Sequence, residues 1–478
     1  MSTLLNNPAK EAESSIKFVL LVSMVAALGG FLFGFDTAVM SGANGFLRAR
    51  FGLGNFMLGW TVSCLIIGCM AGAAVSGMLG ERFGRKKVLL AAAVLYTAGI
   101  FVSAISPNLE IFILARMIEG VGIGITSTLC PLYNAEIAPA KYRGRLVAMT
   151  QMAVVSGILI GSFLAFGVSS LGNDAWDVST GWRIMFGAGI VPGLLFLVLL
   201  FLVPESPRWL IKKGRAAEAL PILLKIHGEE LAKKEVLDIK QTFKQDEEAS
   251  IASSGRRFTP ALRTVLIVGI VVAMLQQVTG INAVMYYAPE IFRQTGAGTS
   301  GSLTQTIMVG LVNLIFTALS LWLVDKLGRK VLLLAGSFFM TLSLTIIGFA
   351  FHTGQTDGPI VLICILVYVA AFAISLGAVV WVILSEIFPS RIRGLATAVA
   401  TMALWGADFA VSQSFPPLLA SAGPAVTFWI FGATSLFTFL FTMGVIPETK
   451  GKSLEEIEAM WENKHSEKQE SLHPSLQD

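Results

Sequence analysis

Apolar runs near the ~20 residues that cross a bilayer alternate with short polar connections along this chain. They fall roughly at 18–40, 56–79, 88–106, 109–131, 146–171 and 184–203, then at 263–291, 303–324, 330–351, 359–385, 395–420 and 425–446. A polar stretch from Pro204 to Phe258 divides the two sets. Apolar residues recur there at helical spacing between charges, which predicts short amphipathic helices. The pattern predicts an all-α membrane protein of twelve transmembrane helices. Its expected parts are a tail over 1–17, a six-helix bundle over 18–203, a linker over 204–258, a second bundle over 259–446 and a tail over 447–478.

Composition agrees. The 478 residues are 54% hydrophobic and only 14% charged, with a mean hydropathy of +0.73, which excludes a water-soluble core. The even-numbered connections hold Arg82, Arg85, Lys86 and Lys87, then Lys141, Arg143 and Arg145, then Lys326, Arg329 and Lys330, then Arg391 and Arg393. The odd-numbered ones hold only Arg48, Arg50, Arg183 and Arg293. Positive charge stays inside, so both termini and the linker are expected in the cytoplasm, in a bacterial inner (plasma) membrane. The net charge of +4 is a topology signal and does not point to nucleic acid. Met1–Lys17 lacks the pattern of a cleaved signal peptide. Cys64, Cys69, Cys130 and Cys364 lie in apolar runs without ligand partners, so neither metal nor disulfide is implied. No nucleophile elbow or phosphate-binding loop is present, which argues against an enzyme or a nucleotide-driven pump and implies no cofactor.

The halves repeat each other. Gly80-Glu81-Arg82-Phe83-Gly84-Arg85-Lys86 answers Val324-Asp325-Lys326-Leu327-Gly328-Arg329-Lys330. Glu136 with Arg143-Gly144 answers Glu386 with Arg393-Gly394, and Pro204-Glu205-Ser206 answers Pro447-Glu448-Thr449, all at nearly one offset. Parallel duplicated halves are a transporter architecture.

The most polar apolar run is Gln276-Gln277-Val278-Thr279-Gly280-Ile281-Asn282-Ala283-Val284-Met285-Tyr286-Tyr287. In hydrocarbon each polar group needs a partner or a wet cavity. On a regular helix Gln277 and Asn282 stand about 140° apart, so gathering them requires a break, and Gly280 permits one. Uncharged amides suit a neutral polyhydroxylated ligand.

With Gly34-Phe35-Asp36-Thr37-Ala38-Val39-Met40-Ser41-Gly42, the two Gly-Arg-Lys loops, Pro204-Glu205-Ser206-Pro207-Arg208-Trp209-Leu210, Tyr287-Ala288-Pro289-Glu290 and Pro447-Glu448-Thr449-Lys450-Gly451, the chain resembles the sugar porter family of the major facilitator superfamily. These pieces span nearly the whole chain in the family's order. The resemblance implies two six-helix bundles around a sugar cavity lined by Phe33, Gln151, Gln276, Gln277, Asn282, Tyr286, Asn313, Trp381 and Trp405. It implies that Asp36 takes a proton and Arg116 tunes it. It also implies a cytoplasmic gate of Glu81, Arg82, Arg85, Glu136, Arg143, Asp325, Arg329, Glu386 and Arg393. The plainer alternatives are a structural Asp36–Arg116 pair, packing aromatics, interhelical hydrogen bonds for single amides, and positive-inside anchoring for Lys86, Lys87 and Lys330.

Three positions depart from the family: Leu404 where an amide is usual, Asp408 near a usual Asn, and Glu119 where a small residue is usual. Glu119 can compete for Arg116 or add a proton site. The expected function is alternating-access import of a hexose or pentose by proton symport, by a monomer in the lipid bilayer. Uncoupled facilitated diffusion and cyclitol (inositol) symport are the alternatives. A transport-dead sugar sensor is a remote one, because the C-terminal tail is short.

Overall fold

The computed structural model describes residues 8–139, 143–228, 231–241, 260–356, 358–388, 393–450, 456 and 460, and among these there is no strand. The helices of the first half are α1 (Pro8–Phe51), α2 (Asn55–Phe83), α3 (Arg85–Ile105), α4 (Leu109–Ile137), α5 (Arg143–Ser169) and α6 (Ile190–Leu202), the last preceded in the same span by the short helical pieces Asp174–Trp176, Asp177–Gly181 and Trp182–Ala188. Those of the second half are α7 (Pro260–Val278), α8 (Ile281–Arg293), α9 (Thr299–Leu327), α10 (Arg329–Thr353), α11 (Ile360–Ile374), α12 (Leu376–Ile387), α13 (Arg393–Ser421) and α14 (Gly423–Gly444). Between the halves, Pro207–Lys212 and Ala216–His227 are short helices, as the charge spacing predicts. Trp209, Leu210 and Ile211 pack there with Ala219 and Leu223 in a small core.

Eleven helical stretches are long and apolar enough to cross a membrane. The 29-residue α4 supplies the twelfth segment, with Arg116 and Glu119 in its interior. The first apolar run, expected to end near residue 40, continues in one helix to Phe51. Large apolar side chains such as Met78, Val191, Phe201 and Leu202 stay exposed, as lipid-facing positions must.

The chain forms two compact units, Met1–Phe51 with Cys64–Ile251, and Gly52–Ser63 with Ala252–Asp478. In the first, α1 packs on α4 and α5, and α3 packs on α4. Glycine makes these approaches close. A Cβ at Gly34 would overlap the Val154 carbonyl, and Gly68, Gly72, Gly120 and Gly124 hold α2 against α4 in the same way. Gly29 does so for α1 and α4, where a Cβ would collide with Cys130 and Thr126, and a charge on α1 comes within reach of charges on α4.

In the second unit α7 packs on α13, and α10 on α11 and α14. Two of its membrane segments are interrupted. The first breaks at Gly280, whose φ of 92° only glycine adopts at little cost. The second breaks at Ser375, with φ −110° and ψ −97°.

Candidate functional site

The first unit encloses a cluster of three charges. Arg116 Nη1 donates to Asp36 Oδ1 and, at 3.0 Å, to Glu119 Oε2, while Nη2 donates to Asp36 Oδ2 at 2.9 Å. All three side chains are 0% exposed. Two parallel N–H···O bonds to Asp36 are the strongest pairing a guanidinium offers. The arginine also lies 5.4 Å from the Phe186 ring centroid. Asp36 and Arg116, predicted as partners from the first and fourth segments, therefore meet. Glu119 contacts the same guanidinium, as the first of the two readings open for it requires.

The second unit holds a chain of amides. Asn282 Nδ2 donates to Gln277 Oε1 at 3.0 Å, Gln277 Nε2 to Gln276 Oε1 at 3.4 Å, and Gln276 Nε2 to the Leu376 carbonyl at 2.7 Å. The left-handed turn at Gly280 brings Gln277 and Asn282 together, which a regular helix would not. The carbonyls it frees are taken by side chains: Val278 by the Thr434 hydroxyl at 2.9 Å and Thr279 by the Tyr368 hydroxyl at 3.0 Å. Leu376 follows the second break, so Gln276 ties the two interrupted segments together. Unsatisfied backbone groups in hydrocarbon would cost several kcal/mol each, which explains why both breaks are so fully partnered. Asp408, also 0% exposed, accepts from Ser412 Oγ at 3.0 Å through Oδ1, while its Oδ2 has no hydrogen-bond partner and Asn282 is its polar neighbour.

The remaining predicted sugar residues divide by burial. Tyr286, Asn313 and Trp405 are buried, and Asn313 Oδ1 receives only a long 3.5 Å bond from Thr317. Phe33 and Gln151 are half-buried in the first unit. Trp381 is 40% exposed, which a packing role does not require. Leu404 is 2% exposed.

The duplicated loops build two similar ionic knots. In the first unit, Arg85 Nη2 meets Glu136 at 2.8 Å and Glu81 at 3.1 Å, Nε meets Glu136 at 3.0 Å, and Nη1 donates to the Gly80 carbonyl. Glu81 also binds Lys212 at 2.6 Å. In the second unit, Arg329 meets Glu386 at 2.9 Å and the Val324 carbonyl at 3.1 Å, and Glu386 accepts from Thr449 at 2.6 Å. Arg82 is exposed, lies over the Phe83 ring and stands outside the knot. The side chains of Arg143, Asp325 and Arg393 lie outside the described residues.

Sequence reasoning missed the carboxylates at the centre of each knot. Glu205 accepts from the backbone N–H of Arg85 and Lys86 at the start of α3, and Glu448 from those of Arg329 and Lys330 at the start of α10. Each sits against a glycine of positive φ, Gly84 or Gly328, where a Cβ would collide with the carboxylate. The repeated Pro-Glu-Ser and Pro-Glu-Thr were the available signal. Their role as anions at helix N-termini needed the fold. All four cysteines are buried and unbridged, and no group able to hold a metal occurs among the described residues.

A profile of the family described as "Sugar (and other) transporter" matches residues 22–461. The chain is 44% identical over 447 residues to a Bacillus subtilis (strain 168) protein named arabinose-proton symporter, covering 94% of this chain and 96% of that one. It is 40% identical over 480 aligned positions to the D-xylose-proton symporter of Escherichia coli (strain K12), covering 93% and 96%. Among solved structures, the partially occluded inward open xylose transporter XylE from E. coli is similar with a TM-score of 0.82 and 38% identity, over 91% of this chain and all of that one.

Proposed function

The chain belongs to the sugar (and other) transporter family, and we propose that it imports a monosaccharide with a proton by alternating access. Its fold is the twelve-helix major facilitator fold. A pentose is the favoured substrate, since the relatives cited are named for arabinose and xylose. The observation that carries the reading is the Asp36–Arg116 pair, buried completely inside membrane helices. A charged pair inside membrane helices is costly to keep there and marks a functional site by default. Protonation removes the charge that holds Arg116 and frees α1 from α4. Sugar-loaded reorientation then carries the proton with it.

Sugar recognition falls to uncharged groups. Gln276, Gln277, Asn282, Gln151 and Asn313 donate to and accept from hydroxyls. Trp381, Trp405, Phe33 and Tyr286 offer apolar faces to the sugar ring. The Gly-Arg-Lys ends and both termini face the cytoplasm, and the protein works as one copy in a bacterial inner membrane. There the two knots around Arg85 and Arg329 serve as the gate, with Glu81, Glu136 and Glu386.

Uptake of labelled arabinose, xylose, glucose and inositol into proteoliposomes, with and without an imposed pH gradient, tests this. The expected result is accumulation of one pentose above equilibrium only with the gradient. Equilibration without accumulation would make the protein a facilitator. In Asp36→Asn, accumulation is expected to vanish while sugar exchange persists, and full accumulation in that variant would remove Asp36 from the mechanism.

A further inference from the structure

The cluster around Arg116 contains one more carboxylate than its cation can neutralise. Glu119 touches Arg116 Nη1 at 3.0 Å, is 0% exposed, and leaves its Oε1 without any hydrogen-bond partner. Asp36 Oδ1 and Glu119 Oε2 both accept from that one nitrogen, so the two carboxylates flank a single N–H group. The titratable groups facing it are Asp36 from α1, Cys64 from α2, Tyr96 from α3 and Arg116 one turn back on α4. Arg116 is the one cation among them. Gly99 of α3 presses on the Glu119 Cβ and backbone, leaving that side chain little room to turn away.

We propose that Glu119 is a second coupling residue: with Asp36 it forms a carboxylate pair that binds the transported proton and alternately holds Arg116. This rests on the symport reading above. Without the proton, both carboxylates are ionised against one guanidinium and the cluster carries a net negative charge. Adding one proton forms one O–H bond on either carboxylate and makes the cluster neutral. When that proton sits on Asp36, Arg116 transfers its salt bridge to Glu119, so α1 is released while no buried cation is left unpaired. In a lone Asp36–Arg116 pair, protonating Asp36 leaves the arginine without its carboxylate, whereas here Glu119 is already in contact to take it. Arg116 Nε has no partner either, which leaves the guanidinium a spare donor during the exchange.

The test is labelled xylose and arabinose uptake into proteoliposomes over a range of external pH, beside counterflow exchange. In Glu119→Gln, the extra negative charge that draws in the proton is gone. The midpoint of gradient-driven accumulation is expected to move about 1–3 pH units toward acid, with counterflow retained. Glu119→Asp keeps the charge and is expected to keep the parent midpoint. A Glu119→Gln midpoint that superposes on the parent's, while Asp36→Asn has lost accumulation, overturns the proposal and leaves symport standing. A space-filling role would make Glu119→Asp the damaging change and Glu119→Gln harmless, and that pattern also overturns it. If the unmodified protein accumulates neither sugar under a gradient, the symport reading falls and this inference falls with it.

Discussion

Each unit buries carboxylate among membrane helices, and the two do so in opposite ways. In the first, Asp36 and Glu119 share a guanidinium, and every member of the cluster is sealed from solvent. In the second, Asp408 meets no cation among the described residues, only Ser412 and the amide chain that ends at Asn282. Unpaired charge in a low dielectric is far more costly than paired charge, so the first cluster depends on its cation, while the amides and hydroxyls that make up most of the second need none. The division matches the work proposed for each: charge exchange with a proton in one unit, hydroxyl recognition in the other.

The largest expected effect breaks the first arrangement outright. Arg116→Gln leaves two buried carboxylates without a counter-ion and should destabilise the protein by about 3–5 kcal/mol, read as a fall in melting temperature and yield in detergent. Asp408→Asn keeps the shape and an acceptor for Ser412, so it should change stability by about 1 kcal/mol or less. If Asp408→Asn proves as damaging as Arg116→Gln, the two carboxylate sites are not of different kinds.

A smaller effect separates affinity from driving force. Gln277→Ala removes the middle of the amide chain and leaves Asn282 Nδ2 and Gln276 Oε1 without their partner. It also removes an amide assigned to the sugar, and a lost hydrogen bond of about 0.5–1.5 kcal/mol predicts an apparent KM for the pentose about 2–13-fold higher. The pH midpoint of uptake should stay where it is. A pH shift in Gln277→Ala would show that the amide chain also carries the proton linkage, and the contrast between units would blur.

Much of this contrast was legible in the sequence, and the exceptions have physical reasons. Asp36 and Arg116 could be paired because two lone charges in apolar runs have few other ways to be satisfied. The break at Gly280 could be inferred because Gln277 and Asn282 face different ways on an unbroken helix. The break at Ser375 was hidden. It lies inside the continuous apolar run 359–385, and close packing imposes it, with the Ser375 side chain filling the notch left by Gly336. Arg82 and Arg85 look equivalent in Glu81-Arg82-Phe83-Gly84-Arg85, yet the positive φ of Gly84 turns only Arg85 inward. Glu205 stands far from Arg85 in sequence, and only the tertiary fold sets it on the first N–H groups of α3.

The duplicated knots offer a milder form of the same comparison. The Arg85 side chain is 6% exposed and spans Glu136, Glu81 and the Gly80 carbonyl, whereas Arg329 is 12% exposed and meets a Glu386 that is itself 22% exposed. Ion pairs weaken as water reaches them. Arg85→Ala should therefore cost about 2–3 kcal/mol, toward the level of charged hydrogen bonds, and Arg329→Ala about 1 kcal/mol. Equal losses in the two variants would mean that burial does not rank the knots.

The smallest effect concerns the carboxylate beneath the second knot. Partial burial pushes the Glu448 carboxyl up, but the backbone N–H groups of Lys450, Arg329, Lys330 and Thr449 outweigh that and hold it below its usual 4.5. A carboxylate depressed by folding contributes stability above its unfolded value and loses it as pH falls through the folded one. Glu448→Gln keeps the shape but not the charge facing the start of α10. Because Glu448 is only half-buried, screening keeps the loss near the low end of the about 0.3–1 kcal/mol of such helix-end charges. The melting-temperature gap between parent and variant should be widest at neutral pH and close in acid. A gap that persists unchanged below pH 4.5 would assign the capping to hydrogen-bond geometry alone, with no part played by charge.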